Sequence, residues 1–213
     1  MTPLPPYVPG TQDTRNFTVE GHGFHVYRGD HGGGEVAFWG GGRDGDYVTA
    51  DDPRIDILAR AIAGIDGLSP AWIGHRSDSA TVIDAVERRM LELAGRYGTI
   101  YRQVWGNVEA ARRAVAVPRA PLVKRNLYIS GGSFSLSLDV PEHADAVVSS
   151  WAWGNPTGTF VEETLTELGA PLDRVAGSDV NKHYVVPAGC LAAFLDKAIL
   201  VNNASDVRVV DDP

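Results

Sequence analysis

Hydrophobic and polar residues alternate along residues 17 to 39, which is the period of a β-strand with one buried face. Phe24, Val26 and Arg28 fall on one side of this pattern, and the residues between them fall on the other. The run "EVAFWGG" predicts a further strand, and "DYVT" predicts a short one after a glycine turn. Consecutive strands are therefore expected near the N-terminus.

A helix is predicted directly after these strands, in "DDPRIDILARAIAG". Asp52 can cap its first turn, Pro53 suits the first helical position, and Gly64 suits the end. The spacing predicts an apolar face made of Ile55, Leu58 and Ile62.

A longer helix is predicted from about Ser79. Its apolar positions recur at three- and four-residue steps, at Ile83, Val86, Met90, Leu93 and Tyr97, with Ile100 and Val104 continuing the register. Gly95 and Gly98 lower the helix propensity, so a break is expected there. The run "NVEAARRAVA" predicts a third helix, and carboxylates on these helices are expected to face solvent.

The second half of the chain repeats this kind of architecture. A hairpin is predicted around Gly131 and Gly132, because the flanking residues alternate in polarity. "PEHADAVVSSWAW" predicts a short helix, and "TFVEETLTELG" another one that Thr159 caps. "HYVVPAGCLAAFLDKAI" predicts a strand leading into a proline-initiated helix, and "DVRVV" a last strand. This strand and helix resemble "DYVTADDPRIDILARAI", which suggests duplication.

The predicted fold class is α+β, with mixed or antiparallel strands and several amphipathic helices packed on one or two small sheets. The predicted organisation is an extended N-terminal arm at 1–16, an α+β domain at 17–117 and a second α+β domain at 122–213. The linker "VPRAP" separates the two domains, which could pack as one unit.

Two groups of residues are predicted to lie in contacts between chains. The proline-rich arm carries Leu4, Tyr7 and Val8, so it is either a loose tail or a segment that docks on a neighbouring subunit. Trp151 and Trp153 are two residues apart, so in the predicted helix they point in nearly opposite directions and only one of them can face the core. The other is expected to be exposed or at an interface.

Composition and charge disfavour several classes of function. Hydrophobic residues make up 44% of the 213 residues, which fits a folded protein, and the net charge of −8 disfavours direct binding to nucleic acid. No apolar run approaches the roughly 20 residues of a membrane helix, and no secretion signal is visible. Synthesis in the cytoplasm is expected. The single cysteine, Cys190, is expected to be a small buried hydrophobe.

Metal and phosphate chemistry are not expected from the N-terminal motifs. His22 and His25 are three residues apart on a strand, which places them on opposite faces, and His31 lies in a glycine turn. The glycines at 32–34 precede a strand, whereas a phosphate cradle needs a helix N-terminus. No metal and no cofactor are predicted.

The motif "VYRGD" resembles the first-strand arginine motif of ADP-ribosyltransferases. The resemblance implies that Arg28 holds NAD, that Ser133 and Ser135 in "SFS" stand in for the serine strand, and that Glu163 in "VEET" is the catalytic glutamate. The order of the three motifs matches that family, although the glutamate lies on a predicted helix. An NAD-using enzyme is therefore the alternative hypothesis.

The segment "GDYVTADDPRIDILARAI" resembles a unit of tailed-phage structural proteins, with a glycine turn, an aromatic residue, a Thr-Asp cap and an amphipathic helix. The resemblance is carried by Gly45, Tyr47, Thr49, Asp52, Ile55 or Ile57, and Leu58. It implies a non-enzymatic virion component, such as a capsid decoration, minor capsid or head–tail connector protein. Copies of itself and other virion proteins would be its partners, with no membrane and no direct nucleic-acid contact. A cytosolic binding protein is a third hypothesis.

Overall fold

The computed structural model divides the chain into two compact units, Met1–Tyr101 and Arg102–Pro213, called here the N-terminal and C-terminal units. Its described residues are 3–38, 48–71, 73–117, 124–131, 135–141, 145–151, 156–175 and 181–212. Each unit combines antiparallel strands with helices, which confirms the predicted α+β class.

The N-terminal unit is an antiparallel sheet with two helices. Its elements are β1 Gln12–Val19, β2 His22–Arg28, β3 Gly34–Phe38, α1 Pro53–Ile62, β4 Ser69–Pro70, β5 Gly74–Ser77, α2 Ala80–Ala94 and the start of β6 Ile100–Val104. The strand order is β1-β2-β3-β5-β4. The amide of Asn16 donates to Thr99 O at 3.0 Å, so the chain returns beside β1 after α2.

The alternation of side chains along these strands builds the core. Phe17, Phe24, Val26 and Val36 are buried on the face against which α2 packs. Close strand pairing requires glycine at Gly34, where a Cβ would lie 1.9 Å from Tyr27 O.

The C-terminal unit has the same plan, preceded by an additional helix. Its elements are α3 Val108–Ala116, β7 Lys124–Ser130, β8 Ser135–Pro141, β9 Ala146–Trp151, α4 Pro156–Glu167, β10 Arg174–Val175, β11 Asn181–Val186, a 3₁₀ turn Ala188–Cys190, α5 Leu191–Val201 and β12 Asp206–Asp212. The strand order is β10-β11-β9-β8-β7-β12. Leu127, Leu138, Val148 and Phe194 are buried in its core.

The two units share one topology, which supports duplication. Each begins with three consecutive antiparallel strands, followed by a helix and a two-stranded hairpin. The second strand of this hairpin pairs with the third strand of the unit. A second helix and a last strand follow, and that last strand lies beside the first strand of the unit. By this order α1 corresponds to α4, and α2 corresponds to α5. The two similar sequence segments are 46–62, which contains α1, and 183–199, which contains α5. Their sequence similarity therefore pairs α1 with α5, whereas the topology pairs α1 with α4.

Helix α1 confirms the predicted cap and corrects the predicted face. The Asp52 side chain accepts a hydrogen bond from the Arg54 amide at 2.9 Å, and Pro53 is the first helical residue. The prediction for Ile55 is wrong, because its side chain is 37% exposed. The buried positions are Ile57, Leu58 and Ala61, because the helix is rotated from the face that the spacing indicated.

The predicted break after α2 is also found. Gly95 adopts a left-handed conformation with φ of 77°, and its amide caps Leu91 O. Ile100 and Val104, which continued the helical register in the sequence, instead lie in β6. Both are buried, because alternate positions of β6 point into the core.

Two predictions in the second half are wrong. Residues 146–151 form β9 rather than a helix, because β8 and β11 pair with both edges of this segment. Thr159 is not a cap, because α4 already begins at Pro156. The hairpin of β7 and β8, the strand β11 with helix α5, and the last strand β12 are confirmed.

The unit boundaries differ from those that the sequence suggested. Strand β1 begins at Gln12, so residues 12–16 of the predicted arm belong to the sheet. The division lies after Tyr101 and not at 117–122, because α3 packs on α5 and β12 of the C-terminal unit. Of the predicted strand "DYVT", Asp46 and Tyr47 lie outside the described residues, and Val48 and Thr49 are not in a strand. Cys190 is half-buried rather than fully buried.

Candidate functional site

Five charged residues meet between the sheet and helix α2 of the N-terminal unit, and they are called here the charged cluster. They are Asp13 and Arg15 of β1, Arg28 of β2, and Asp84 and Glu87 of α2. Asp13, Arg15, Arg28 and Glu87 are buried. Alternation along β1 and β2 places the first three on the helix-facing side, where apolar residues would ordinarily stand.

Each buried charge in the cluster has an opposite charge beside it. Arg15 Nη1 lies 3.1 Å from Glu87 Oε2, and Arg15 Nη2 lies 3.0 Å from Asp13 Oδ2. Arg28 Nη2 lies 3.0 Å from Glu87 Oε2 and 2.6 Å from Asp84 Oδ1. Glu87 therefore joins two arginines from two strands, which compensates for the loss of their hydration.

Burial dominates the electrostatics of Glu87. Burial raises the pKa of its carboxyl, Arg15 and Arg28 act to lower it, and Asp13 and Asp84 add to the increase. Three buried atoms of the cluster, Arg15 Nε, Arg28 Nε and Glu87 Oε1, have no hydrogen-bond partner among the described residues. The cluster therefore carries a considerable desolvation cost for its position in the core.

The segment that precedes β1 packs against this cluster. The Arg28 guanidinium lies 4.7 Å from the centroid of the Tyr7 ring, in cation–π geometry. The Tyr7 hydroxyl lies 2.9 Å from both Gly29 O and Asp30 O, which share its single proton, and Val8 is 5% exposed. Leu4 lies at a pocket of about 320 Å³ beside α2. Leu4, Tyr7 and Val8, predicted to contact another chain, thus pack on their own unit.

The C-terminal unit has a buried cluster of its own. Asp211 of β12 lies 2.7 Å from Arg102 Nη1 and 2.5 Å from Arg125 Nε, and Arg125 also donates to Val115 O at 2.9 Å. Arg125 precedes two alternating buried residues of β7, as Arg15 does in β1. A buried arginine on the first strand is thus common to both units, whereas its acidic partners come from different elements.

The residues of the ADP-ribosyltransferase hypothesis are not brought together within one unit. Arg28 is buried in the charged cluster of the N-terminal unit, and Glu163 is exposed on α4 of the C-terminal unit. Ser133 lies outside the described residues, and Ser135 is described only as part of strand β8. Arg28 is already engaged by two carboxylates and an aromatic ring.

An exposed tryptophan in the C-terminal unit was not singled out by the sequence. Trp105 is 56% exposed, directly after Val104, which is 1% exposed. Gly106 follows with φ of 58°, and the Asn107 side chain caps α3 by accepting from the Ala110 amide at 2.9 Å. The indole is therefore presented on a fixed backbone. The sequence feature that could have indicated this exposure is the position of the tryptophan, between the end of a predicted strand and the Gly-Asn pair that precedes a predicted helix.

The other predicted contact residues cannot be placed by their side chains. Trp151 is the last residue of β9, where it pairs with Asn181, and only its backbone is described. Trp153 lies outside the described residues. Their place in an interface stays a prediction.

No group of three or more histidine, cysteine or carboxylate side chains in the described ranges could hold a metal ion. No helix in those ranges is long and apolar enough to span a membrane. His31 is exposed, while His22 and His25 are half-buried on β2.

Comparison with known proteins gives no relative: no protein-family model, no curated protein and no solved structure matches this chain.

Proposed function

We propose that this protein is a non-enzymatic interaction protein that associates with copies of itself, and that a phage particle is the setting in which it does so. The observation that carries the proposal is the exposure of Trp105. A large indole that is 56% exposed on a fixed backbone has the properties of an interface anchor.

Several features of the C-terminal unit favour contact as the mode of action. Trp105 loses little conformational freedom on binding, because the buried Val104 and the capped helix α3 hold its backbone on both sides. Further large apolar side chains are exposed in the same unit, at Leu200 and Val201. Aromatic residues of this kind are enriched in interface cores, where they are shielded from water.

The charge balance supports a particle component that lies outside a packaged genome. A net charge of −8 opposes contact with nucleic acid phosphates. The likeness of residues 45–62 to phage structural proteins suggests the same setting. Genes for capsid, portal or tail proteins beside this gene would support the virion role, and their absence would count against it.

Light scattering over a range of concentrations tests the self-association directly. We expect the wild-type chain to form an oligomer, and Trp105→Ala to weaken it by about 2 kcal/mol, the cost typical of an aromatic anchor. Leu172→Ala is the matched control, since it removes a side chain that is 50% exposed in the same unit. Trp151→Ala and Trp153→Ala are measured alongside, because one of these is predicted to lie in a contact.

A wild-type chain that remains monomeric at all concentrations would contradict self-association. Equal weakening by Trp105→Ala and Leu172→Ala would show that the loss follows removal of any exposed apolar side chain and that the indole is not a specific anchor. A lower melting temperature with unchanged mass would identify Trp105 as a residue that stabilises its own unit.

A further inference from the structure

A pocket lies on the outer face of the N-terminal sheet, on the side opposite to α2. Its volume is about 420 Å³, and among the described residues it is lined by Thr14, His25, Tyr27 and Glu35. These residues alternate with the buried residues of β1, β2 and β3, so they face away from the core. The volume lies within the range of small-ligand sites, roughly 300–1,000 Å³.

The register of the sheet brings the four side chains together. Tyr27 pairs directly with Thr14 on one side and with Glu35 on the other. Side chains directly opposite each other across strands have Cβ atoms about 5 Å apart, and His25 is the next residue of β2 on the same face. An aromatic ring therefore stands between a hydroxyl and a carboxylate on a rigid surface.

Glu35 supplies an unpaired negative charge at this pocket. Its side chain is half-buried, and no hydrogen bond or ion pair to its carboxylate occurs in the part of the chain that the structure describes. Arg76 stands opposite Glu35 in the β3–β5 register, but its exposed side chain does not reach ion-pair distance. Burial lowers the pKa of His25 below its ordinary value, while Glu35 acts to raise it, so the net shift favours the neutral ring.

We propose that this pocket binds an organic cation, either an alkylammonium or a guanidinium group. The carboxylate of Glu35 would pair with the cation, and the face of Tyr27 would stack against it, as aromatic rings do with desolvated cations. The cation is either a free small molecule or a lysine or arginine side chain of a protein partner. The site does not depend on Trp105 or on self-association.

Calorimetry at low salt with two probes distinguishes these sources. The probes are agmatine, which carries a guanidinium and an ammonium group, and the peptide Gly-Arg-Gly-amide, whose guanidinium and free amino terminus present the same two kinds of charge on a backbone. We expect saturable binding of at least one probe to the full chain. Tighter binding of agmatine assigns the site to small molecules, and tighter binding of the peptide assigns it to a protein partner.

Two substitutions that each remove one carboxylate test whether the charge of Glu35 binds the probe. Glu35→Gln is expected to weaken binding about tenfold or more, because it removes the only carboxylate lining the described pocket. Glu20→Gln is the control, since it removes the same charge from a side chain that is 60% exposed and paired with Arg60. Arg76→Gln is expected to strengthen binding, because it removes the positive charge that stands opposite Glu35 in the β3–β5 register.

Three outcomes would overturn the proposal. Neither probe binding at millimolar concentration would show that the pocket does not take a cation. Equal weakening by Glu35→Gln and Glu20→Gln would show attraction to the net charge only. Weaker binding by a folded Arg76→Gln variant would show that a positive charge beside the pocket favours binding, which contradicts a cation site at Glu35; circular dichroism establishes folding of all three variants.

Discussion

Glu87 on α2 accepts a hydrogen bond of 3.1 Å from Arg15 on β1, across 72 residues of sequence, and both side chains are buried. The pair connects the first strand of the N-terminal unit to its long helix. Because Arg28 also reaches the same Glu87 oxygen, the end of β2 is connected to that helix too. A helix that would pack on the sheet by apolar contacts alone is therefore also positioned by charge.

Replacement of Arg15 by methionine tests how strongly the unit depends on this connection. Arg15→Met leaves the buried carboxylates of Asp13 and Glu87 without their shared guanidinium, and we expect it to lower the free energy of unfolding by about 3 kcal/mol. Urea denaturation measures the loss. Arg60→Met is the control, since Arg60 is 48% exposed in its pair with Glu20. Equal effects of the two variants would show that the buried pairs contribute no more than surface ones.

The pKa of Glu87 predicts a specific pH dependence. Burial raises this pKa above its ordinary value of 4.5, so the folded chain keeps the proton to a higher pH than the unfolded chain. The contribution of Glu87 to stability is then fully present below pH 4.5 and is lost as the pH rises through the folded pKa. We expect the stability of the wild type relative to Glu87→Gln to fall as the pH rises above 4.5.

Urea denaturation of both proteins at each pH measures this difference. Glu92→Gln is the control, because Glu92 is 47% exposed on the same helix. If the wild type instead gains stability over Glu87→Gln as the pH rises, attraction to Arg15 and Arg28 outweighs burial, and the pKa is lowered.

The sequence predicted correctly those helix ends that depend on a few adjacent residues. Asp52 and Pro53 begin α1 as predicted, and Gly95 ends α2, because capping depends on neighbouring residues alone. The helix predicted over "PEHADAVVSSWAW" was wrong because pairing decides that segment. Val148 of β9 pairs with Leu138 of β8, ten residues earlier, and with Tyr184 of β11, 36 residues later, so both partners lie outside the segment itself.

The charged cluster could not be predicted for a related reason. Carboxylates on predicted helices were expected to face solvent, yet Glu87 is 4% exposed. Its burial is favourable only beside Arg15 and Arg28, and the contact between α2 and these strands comes from the tertiary fold. The pocket at Glu35 also depends on contacts between elements, because the pairing of β2 with β3 places Tyr27 beside Glu35.

Close approach of the strands predicts a strong effect of one methyl group. Gly34→Ala would place a Cβ 1.9 Å from Tyr27 O, so strands β2 and β3 would have to separate. We expect a loss of about 3 kcal/mol or more in unfolding free energy, at the upper end of overpacking effects. Gly189→Ala is the control, because nothing lies within 4 Å of a Cβ there. A Gly34→Ala variant as stable as Gly189→Ala would contradict the pairing of β2 with β3.

The position of Arg28 predicts the outcome of an NAD-binding experiment. An ADP-ribosyltransferase must direct this guanidinium at the dinucleotide, and a carboxylate must stabilise the charge that develops on its ribose. Here Arg28 is 2% exposed, paired with Asp84 and Glu87 and covered by Tyr7, so a phosphate would have to displace both carboxylates and the ring. We expect calorimetry to detect no NAD binding at micromolar concentration.

Tyr7→Ala provides the sharper version of this experiment, because it uncovers Arg28 while leaving the ion pairs in place. If Tyr7 were a lid over a dinucleotide site, the variant would bind NAD more tightly than the wild type. We expect the variant to remain without affinity and to lose about 2 kcal/mol of stability, from the cation–π contact and the hydroxyl hydrogen bond. Micromolar NAD binding by either protein, together with turnover of NAD that Glu163→Gln abolishes, would contradict the interaction hypothesis and favour the enzyme, because only the enzyme requires that carboxylate.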